Sequence, residues 1–360
     1  MSYFLAFAGF AALIILHELG HFAAAKAVGM RVERFSLFFG PMLLKFRRGE
    51  TEYGIGPIPL GGYVKITGMN PHEELTPEVA PRAYFRQPPW KRIVVILAGP
   101  AVNVLIAFLL LWGLALANGY PDRNAVAVGS VQAHQPAAGV LAPNDRIVSV
   151  DGVTKVDNFP TQISSHRCAG ALVAGCQATT PVHIKVIRGG HPLTLSILPR
   201  FDATPMVMRT RLGFAFGNYY HPTGPVSAAG HSVSDMWRVT TGTVSVVGRL
   251  FYSSQARKQV HGVVGNYEYT RQAINLSATA ALSILALISL SLAIINLFPF
   301  LPLDGGHVFW AVAEKLRGRA IPFALMERTG AVGFVLVIFV ALIGLTNDIH
   351  SLNHGGLNLR

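Results

Sequence analysis

Residues 3–28 read YFLAFAGFAALIILHELGHFAAAKAV, long and apolar enough to cross a bilayer as a helix, yet interrupted by His17-Glu18-Leu19-Gly20-His21. A charged side chain at membrane depth costs roughly 2.5–3.5 kcal/mol on the lower scales, so polar groups here need a chemical reason. On a helix, His17 and His21 stand one turn apart and point the same way, as two ligands of one Zn2+ would. Glu18 lies about 100° around the helix, within reach of a water at the metal's open position without ligating the metal. Two histidines do not complete the site. A catalytic zinc ordinarily takes three protein ligands.

The 360 residues are 51% hydrophobic and 13% charged, with a mean hydropathy of +0.42. That is too apolar for an ordinary soluble domain and too polar for a wholly embedded chain, so spans plus a water-exposed portion are expected. The formal charge is +12, but the 30 Lys and Arg form no dense block and no nucleic-acid motif accompanies them, which argues against a nucleic-acid partner. Four segments suit a lipid bilayer: 3–28, 93–117, 280–298 (running on irregularly to 312) and 331–345. The last is short and needs flanking residues. The first lacks Lys or Arg before Lys26 and a small-residue cleavage site, so it reads as a retained span rather than a signal peptide.

Orientation follows from the basic residues. Eleven Lys and Arg lie from Lys26 to Arg92, and Lys315, Arg317, Arg319 and Arg328 lie between the third and fourth segments. The positive-inside rule places both connections in the cytoplasm, and both termini and the long segment 118–278 outside. Cys168 and Cys176 fall in that outer segment, either closed by a small disulfide or left as two thiols; spacing does not decide between them.

The third apolar segment ends in Asn296-Leu-Phe-Pro299-Phe-Leu-Pro302-Leu-Asp304-Gly305-Gly306-His307. Two prolines and two glycines cannot continue a regular helix, and a broken helix at this depth must face protein or a wet cavity. Asp304 either completes a His2Asp zinc site with a fourth position for water, or caps the helix that follows. No other group of the right type lies at membrane depth, which favours the ligand.

Together these motifs resemble the site-2 protease family (peptidase family M50), intramembrane zinc metalloproteases. His17 to His21 is similar to the family's HExxH, and Asn296 to Gly305 to its NxxPxxxxDG. The resemblance implies His17, His21 and Asp304 as zinc ligands and Glu18 as the base. Ala98-Gly99-Pro100-Ala101-Val102-Asn103 resembles the GPxxN motif, which makes Asn103 a polar contact near the groove. The stretch from Gly54 and Gly56 through Pro59 to Lys65 resembles a membrane-dipping β-hairpin, with Gly54 and Gly56 expected at the substrate. The runs 32–39, 42–46 and 63–66 read independently as strands. Such a sheet either pairs with extended substrate by strand addition or only braces the spans. Asn296 either holds substrate backbone freed from its helix or satisfies neighbouring helix-end groups.

The chain order resembles bacterial members with one PDZ domain between the second and third spans. Gln135 to Ile147 is similar to the PDZ stretch SPAAxAGLxxGDxI, with Asn144 where Gly is common. Such a domain either binds a peptide end or acts as a steric lid. The run 232–252 has apolar residues near helical spacing and is expected along the outer membrane surface or beside the PDZ domain. Gly262-Val263-Val264-Gly265 resembles the family's GPxG with Val263 for Pro, which predicts a less rigid loop.

The expected fold is therefore a polytopic α-helical membrane protein with a membrane-associated β-hairpin or sheet and an inserted extracytoplasmic β-rich PDZ domain. Its parts are 1–118 (first half of the core, with the β region 30–68), 119–203 (PDZ), 204–278 (linker with an amphipathic helix) and 279–360 (second half). The resemblance implies an endopeptidase of the bacterial inner membrane with its active site toward the cytoplasmic side. It would cut transmembrane segments of single-pass proteins, such as trimmed anti-sigma factors or signal-peptide remnants. The alternative is a membrane-anchored PDZ adaptor with a purely structural metal site, which would have no use for Glu18. A transporter with a midplane ion site fits poorly, since the chain has only four spans and no internal repeat.

Overall fold

Only Glu18 and Lys26 are charged between residues 2 and 27, no proline intervenes, and the segment forms the helix α1 (Ser2–Ala27). The computed structural model describes residues 2–58, 61–70, 72–204, 207–250, 252–258, 260 and 262–353. Pro59, within the predicted hairpin, lies outside these. Among the described residues four helices are long and apolar enough to cross a membrane: α1, α2 (Pro89–Asn118), α7 (Ala278–Asn296) and α9, which runs Phe323–Asn353 and qualifies over Phe323–Ser351. The fourth segment, short by hydropathy alone, reaches membrane-crossing length by taking in flanking turns on both sides.

Gly29, at φ 83°, turns the chain after α1 into a four-stranded sheet of order β2-β3-β1-β4. Its strands are β1 (Val32–Leu37), β2 (Leu44–Arg48), β3 (Thr51–Ile55) and β4 (Tyr63–Ile66). Three were expected. β3 was not: it enters parallel to β1, with Arg34 opposite Glu52, and fills the interior of the sheet. The sheet runs back along α1, since Phe35 meets Phe22 at 5.5 Å between ring centroids and Phe38 meets Phe7 at 5.9 Å. Those two helix positions are roughly 22 Å apart along the axis, so the sheet's far end lies beside the apolar half of α1. At the near end, Glu50 accepts from Lys26 at 2.6 Å and from both terminal nitrogens of Arg82 at 2.7 and 2.8 Å, while Arg82 Nε donates to the Gly29 carbonyl. These partners, Arg82 foremost, hold the Glu50 carboxyl down at about 2.

The chain divides into two compact units, 1–114 with 229–360, and 115–228. The second carries the antiparallel sheet β11-β5-β6-β7-β8. Its strands are β5 (Tyr120–Val131), β6 (Arg146–Val150), β7 (Val182–Arg188), β8 (His191–Ile197) and β11 (Phe214–His221). The ribbon β9 (Arg200–Thr204) with β10 (Val207–Arg211) and the helix α3 (Phe159–Ser165) complete it. β7 alternates as a half-buried strand should: Val182, Ile184 and Val186 join Val128, Phe159 and Leu212 in the core, while His183 and Lys185 point out. The boundary expected at 203/204 is corrected, because β11 pairs with β5 from Phe214 to His221 and belongs to this sheet. Asn144 adopts φ 70°, the left-handed conformation that Gly commonly supplies and Asn tolerates. Cys168 and Cys176 are joined in a disulfide.

Beyond residue 229, Met236 and Val239 of α4 (Pro225–Arg249) pack on Ala107 of α2 and on Leu290 and Ile294 of α7. After α5 (Ser254–Lys258), the helix α6 (Val263–Leu276) starts where the less rigid loop was expected. Its first turn is held by Asp348 of α9, which accepts from the amides of Gly262 and Gly265 at 3.2 and 2.8 Å. The chain then breaks at 297–303 and restarts as α8 (Asp304–Arg317).

Candidate metal centre

His17 and His21 sit one turn apart on α1 and are both buried, with exposures of 6% and 7%. Their Nε2 atoms lie 3.2 Å apart with the rings nearly perpendicular. Asp304, the first residue of α8, brings Oδ2 to 3.2 Å from His17 Nε2 and 3.3 Å from His21 Nε2. Leu303 holds the N-cap position and Asp304 is the first residue inside α8, so Asp304 is not the cap of that helix. Its Oδ2 is buried and has no hydrogen-bond partner despite the two nearby rings. A buried carboxylate oxygen left so is costly, and three donor atoms turned on one another satisfy themselves best around a shared cation. The ligand atoms of His17, His21 and Asp304 all lie within 4.8 Å of one another, and the set of two imidazoles and a carboxylate suits a divalent metal with an open position.

Backbone proximity makes the cluster possible. Gly20 of α1 rests on the Ala98 carbonyl of α2, where a side chain would have no room. A methyl at Gly99 would overlap His21 Nε2. Small residues let the two apolar helices touch at the metal ligands. Across the break, Gly305 packs on the Leu297 and Phe298 carbonyls and Gly306 on the backbone of Leu301, folding the loop tightly over the start of α8.

Around these ligands, His21 Nδ1 donates to the Val95 carbonyl at 2.8 Å, and Asn296 Nδ2 lies 3.4 Å from His17 Nε2. Asn103 reaches His17 from the other side: its Nδ2 is 3.3 Å from Nδ1. Asn103 was expected as a polar contact near the groove, at the substrate; its side chain is fully buried against His17, which places it behind a ligand with no open face toward substrate. Glu18 is half-buried on the adjoining face of α1, and Gly62, just before β4, stands so close that a methyl there would come to 2.9 Å from Glu18 Cγ.

Gly54 and Gly56 are placed elsewhere. β3 is flanked by β2 and β1, and a Cβ at Gly54 would strike Met42 and the Leu44 carbonyl, one at Gly56 the Phe39 carbonyl. Their lack of side chains serves the sheet's own packing, not an open groove. Sequence reasoning missed the Val95 carbonyl, which carries no side-chain signal, and passed over Gly62 although it lies in the same glycine-rich stretch.

Two histidines and an aspartate around a common centre, with a glutamate on the same helix, make the donor set of a metal-dependent hydrolase, here among helices apolar enough to cross a membrane. The sequence profile of Peptidase family M50 matches residues 5–340, and the chain belongs to that family. Zinc metalloprotease Rip1 of Mycobacterium tuberculosis is 30% identical over 380 residues, covering 92% of this chain and 93% of that protein. A Rhizobium meliloti protein provisionally named a zinc metalloprotease is 28% identical over 366 residues, covering 94% and 93%. A similarly named Campylobacter jejuni protein is 28% identical over 351 residues, covering 94% and 90%.

Proposed function

We propose that this chain is a zinc-dependent endopeptidase that hydrolyses peptide bonds within transmembrane segments of single-pass membrane proteins. The observation that carries it is the meeting of His17, His21 and Asp304 beside Glu18, on elements that include a membrane-length helix. His17 Nε2, His21 Nε2 and Asp304 Oδ2 would hold the zinc. When bound, it supplies Lewis acidity, polarising the scissile carbonyl and making water a nucleophile near neutral pH. The Glu18 carboxylate takes a proton from the attacking water and passes it to the leaving amine. Asn296, whose amide already reaches the site, donates to substrate backbone released from its helix. α2 packed on α1 keeps bulk water from the ligands.

The substrate must arrive as an apolar helix and be unwound, since a helix hides its carbonyls in internal hydrogen bonds. An apolar cavity of about 550 Å³, lined by Leu105, Phe108, Met236, Trp237, Ile294 and Leu297, the last being next to Asn296 in sequence, suits an apolar segment. β4, an edge strand near Glu18, offers pairing to the unwound part. The unit 115–228, a five-stranded sheet with one helix, is read as a PDZ domain outside the cytoplasmic membrane that admits substrates by the state of their outer portions. Trimmed anti-sigma factors and signal-peptide remnants are the substrates this reading favours, with release of a cytoplasmic fragment.

The test uses the purified full-length protein in lipid with a single-pass model substrate. The parent should bind one zinc per chain and cleave, and Glu18→Gln should keep the zinc and lose cleavage. Equal cutting by Glu18→Gln would remove Glu18 as the base, and a metal-bound parent that cuts no membrane segment would favour the adaptor.

A further inference from the structure

His17 has two ring nitrogens with different duties. Nε2 faces Asp304 Oδ2 at 3.2 Å and His21 Nε2 at 3.2 Å, so it is the nitrogen turned toward the ligand cluster. Nδ1 faces Asn103 Nδ2 at 3.3 Å. A neutral imidazole carries one N–H, and a metal-ligating nitrogen must offer its lone pair. Ligation through Nε2 therefore requires the proton on Nδ1.

With the Nδ1 proton in place, an Asn103 amide that turns Nδ2 to the ring sets two N–H groups against each other. The same orientation leaves Asn103 Oδ1 buried without a partner, in a residue of zero exposure. Exchanging the two amide atoms turns that clash into a donor–acceptor pair and gives Oδ1 a partner; which way an Asn amide points is assigned from its hydrogen-bond network. Oδ1 then accepts from His17 Nδ1, as the Val95 carbonyl accepts from His21 Nδ1 at 2.8 Å.

We infer that Asn103 presents its carbonyl oxygen to His17 Nδ1 and so fixes the tautomer in which His17 Nε2 is free to bind zinc. Asn103 is a positioning residue and not a substrate contact. The inference rests on the zinc-peptidase reading. Outer acceptors of this type hold ligating histidines in orientation, and their loss typically costs about 10–100-fold in metal affinity. The Asn103 backbone has a separate job, because its carbonyl accepts from Ser289 Oγ at 2.9 Å, and side-chain replacement leaves that contact in place.

The test is Co2+ binding to the full-length protein in detergent, followed by competition with a chelator and by the visible absorption band of the bound ion. Asn103→Leu, similar in size without an acceptor, should weaken binding about 10–100-fold and shift the band. Asn103→Asp keeps an oxygen acceptor and lacks the N–H, and it should bind close to the parent with the band preserved. If Leu binds as the parent does, or Asp loses as much as Leu, the inference is overturned. Histidine-selective nitrogen NMR of the parent needs no variant: a proton on His17 Nδ1 is expected, and one on Nε2 overturns the assignment. A parent that takes up no metal would instead bring down the peptidase reading on which this rests.

Discussion

Gly99 lies against the imidazole of His21 so closely that any side chain there would occupy the space of Nε2. The Val95 carbonyl, one turn earlier on α2, holds the opposite nitrogen of the same ring at 2.8 Å. One helix thus anchors the ring and leaves room for its metal-facing edge. Gly99→Ala should displace His21 and lower metal affinity by at least about tenfold, measured as zinc retained after dialysis against a chelator. Packing strain of about 1–3 kcal/mol should accompany it, seen as a lower unfolding temperature.

Gly333 of α9 meets the loop between α7 and α8 in the same manner, since a Cβ there would overlap the Leu301 carbonyl. Gly330, nearly one turn earlier, faces the Leu301 side chain. The loop that delivers Asp304 is seated on this small-residue face. Gly333→Leu should push the loop away and cut zinc occupancy and cleavage together, by about tenfold or more, although the position lies outside the ligand set. Gly113 of α2, where a Cβ meets nothing within 4 Å, provides the control: Gly113→Leu should leave both quantities near the parent values.

The residues that sequence could single out are the ones that look wrong in an apolar run. His17, His21, Asp304 and Asn296 stand out at membrane depth and meet in the structure. β3 was hidden for a different reason: its pairing with β1 is parallel and non-local, and Glu52 and Gly54 blur its alternation. Gly54 and Gly56 illustrate the same limit, because a glycine required by neighbouring backbone and a glycine lining a groove read alike. Gly333 has no local signature at all, since its reason lies in Leu301, on another element of the fold.

In the unit 115–228, Asp145 has a side chain only 1% exposed and accepts from Arg188 Nε at 2.7 Å, from Nη2 at 2.6 Å and from the Ala142 amide at 2.8 Å. Arg188, with its hydrogen bonds foremost, holds the Asp145 carboxyl below the usual range. Asp145→Ala strands the Ala142 amide and one face of the guanidinium. Arg188 is 40% exposed and partly hydrated, which limits the loss to about 2 kcal/mol. Hydrogen exchange should show β6 and β7 losing protection while α1 and α7 keep theirs; equal loss everywhere would contradict a local role.

The Glu50 cluster makes an acid-range prediction whose sign is set by its partners. With Lys26 and Arg82 bonded to it, the folded carboxyl titrates at about 2 against 4.5 for the free group. A depressed folded value means that the ionised group stabilises the fold fully above about 4.5, and that this contribution is lost as pH falls toward 2. Glu50 is 29% exposed and its partners more so, so solvent screening holds the gain to about 1 kcal/mol, well below what the full shift would imply. Glu50→Gln should lower the unfolding temperature of the full-length protein near neutral pH by about 1–2 °C. Between pH 5 and 2 the parent and variant curves should converge, because the parent progressively loses what the variant never had. Curves that stay parallel across that range would show that Glu50 has no coupling to Lys26 and Arg82 in solution.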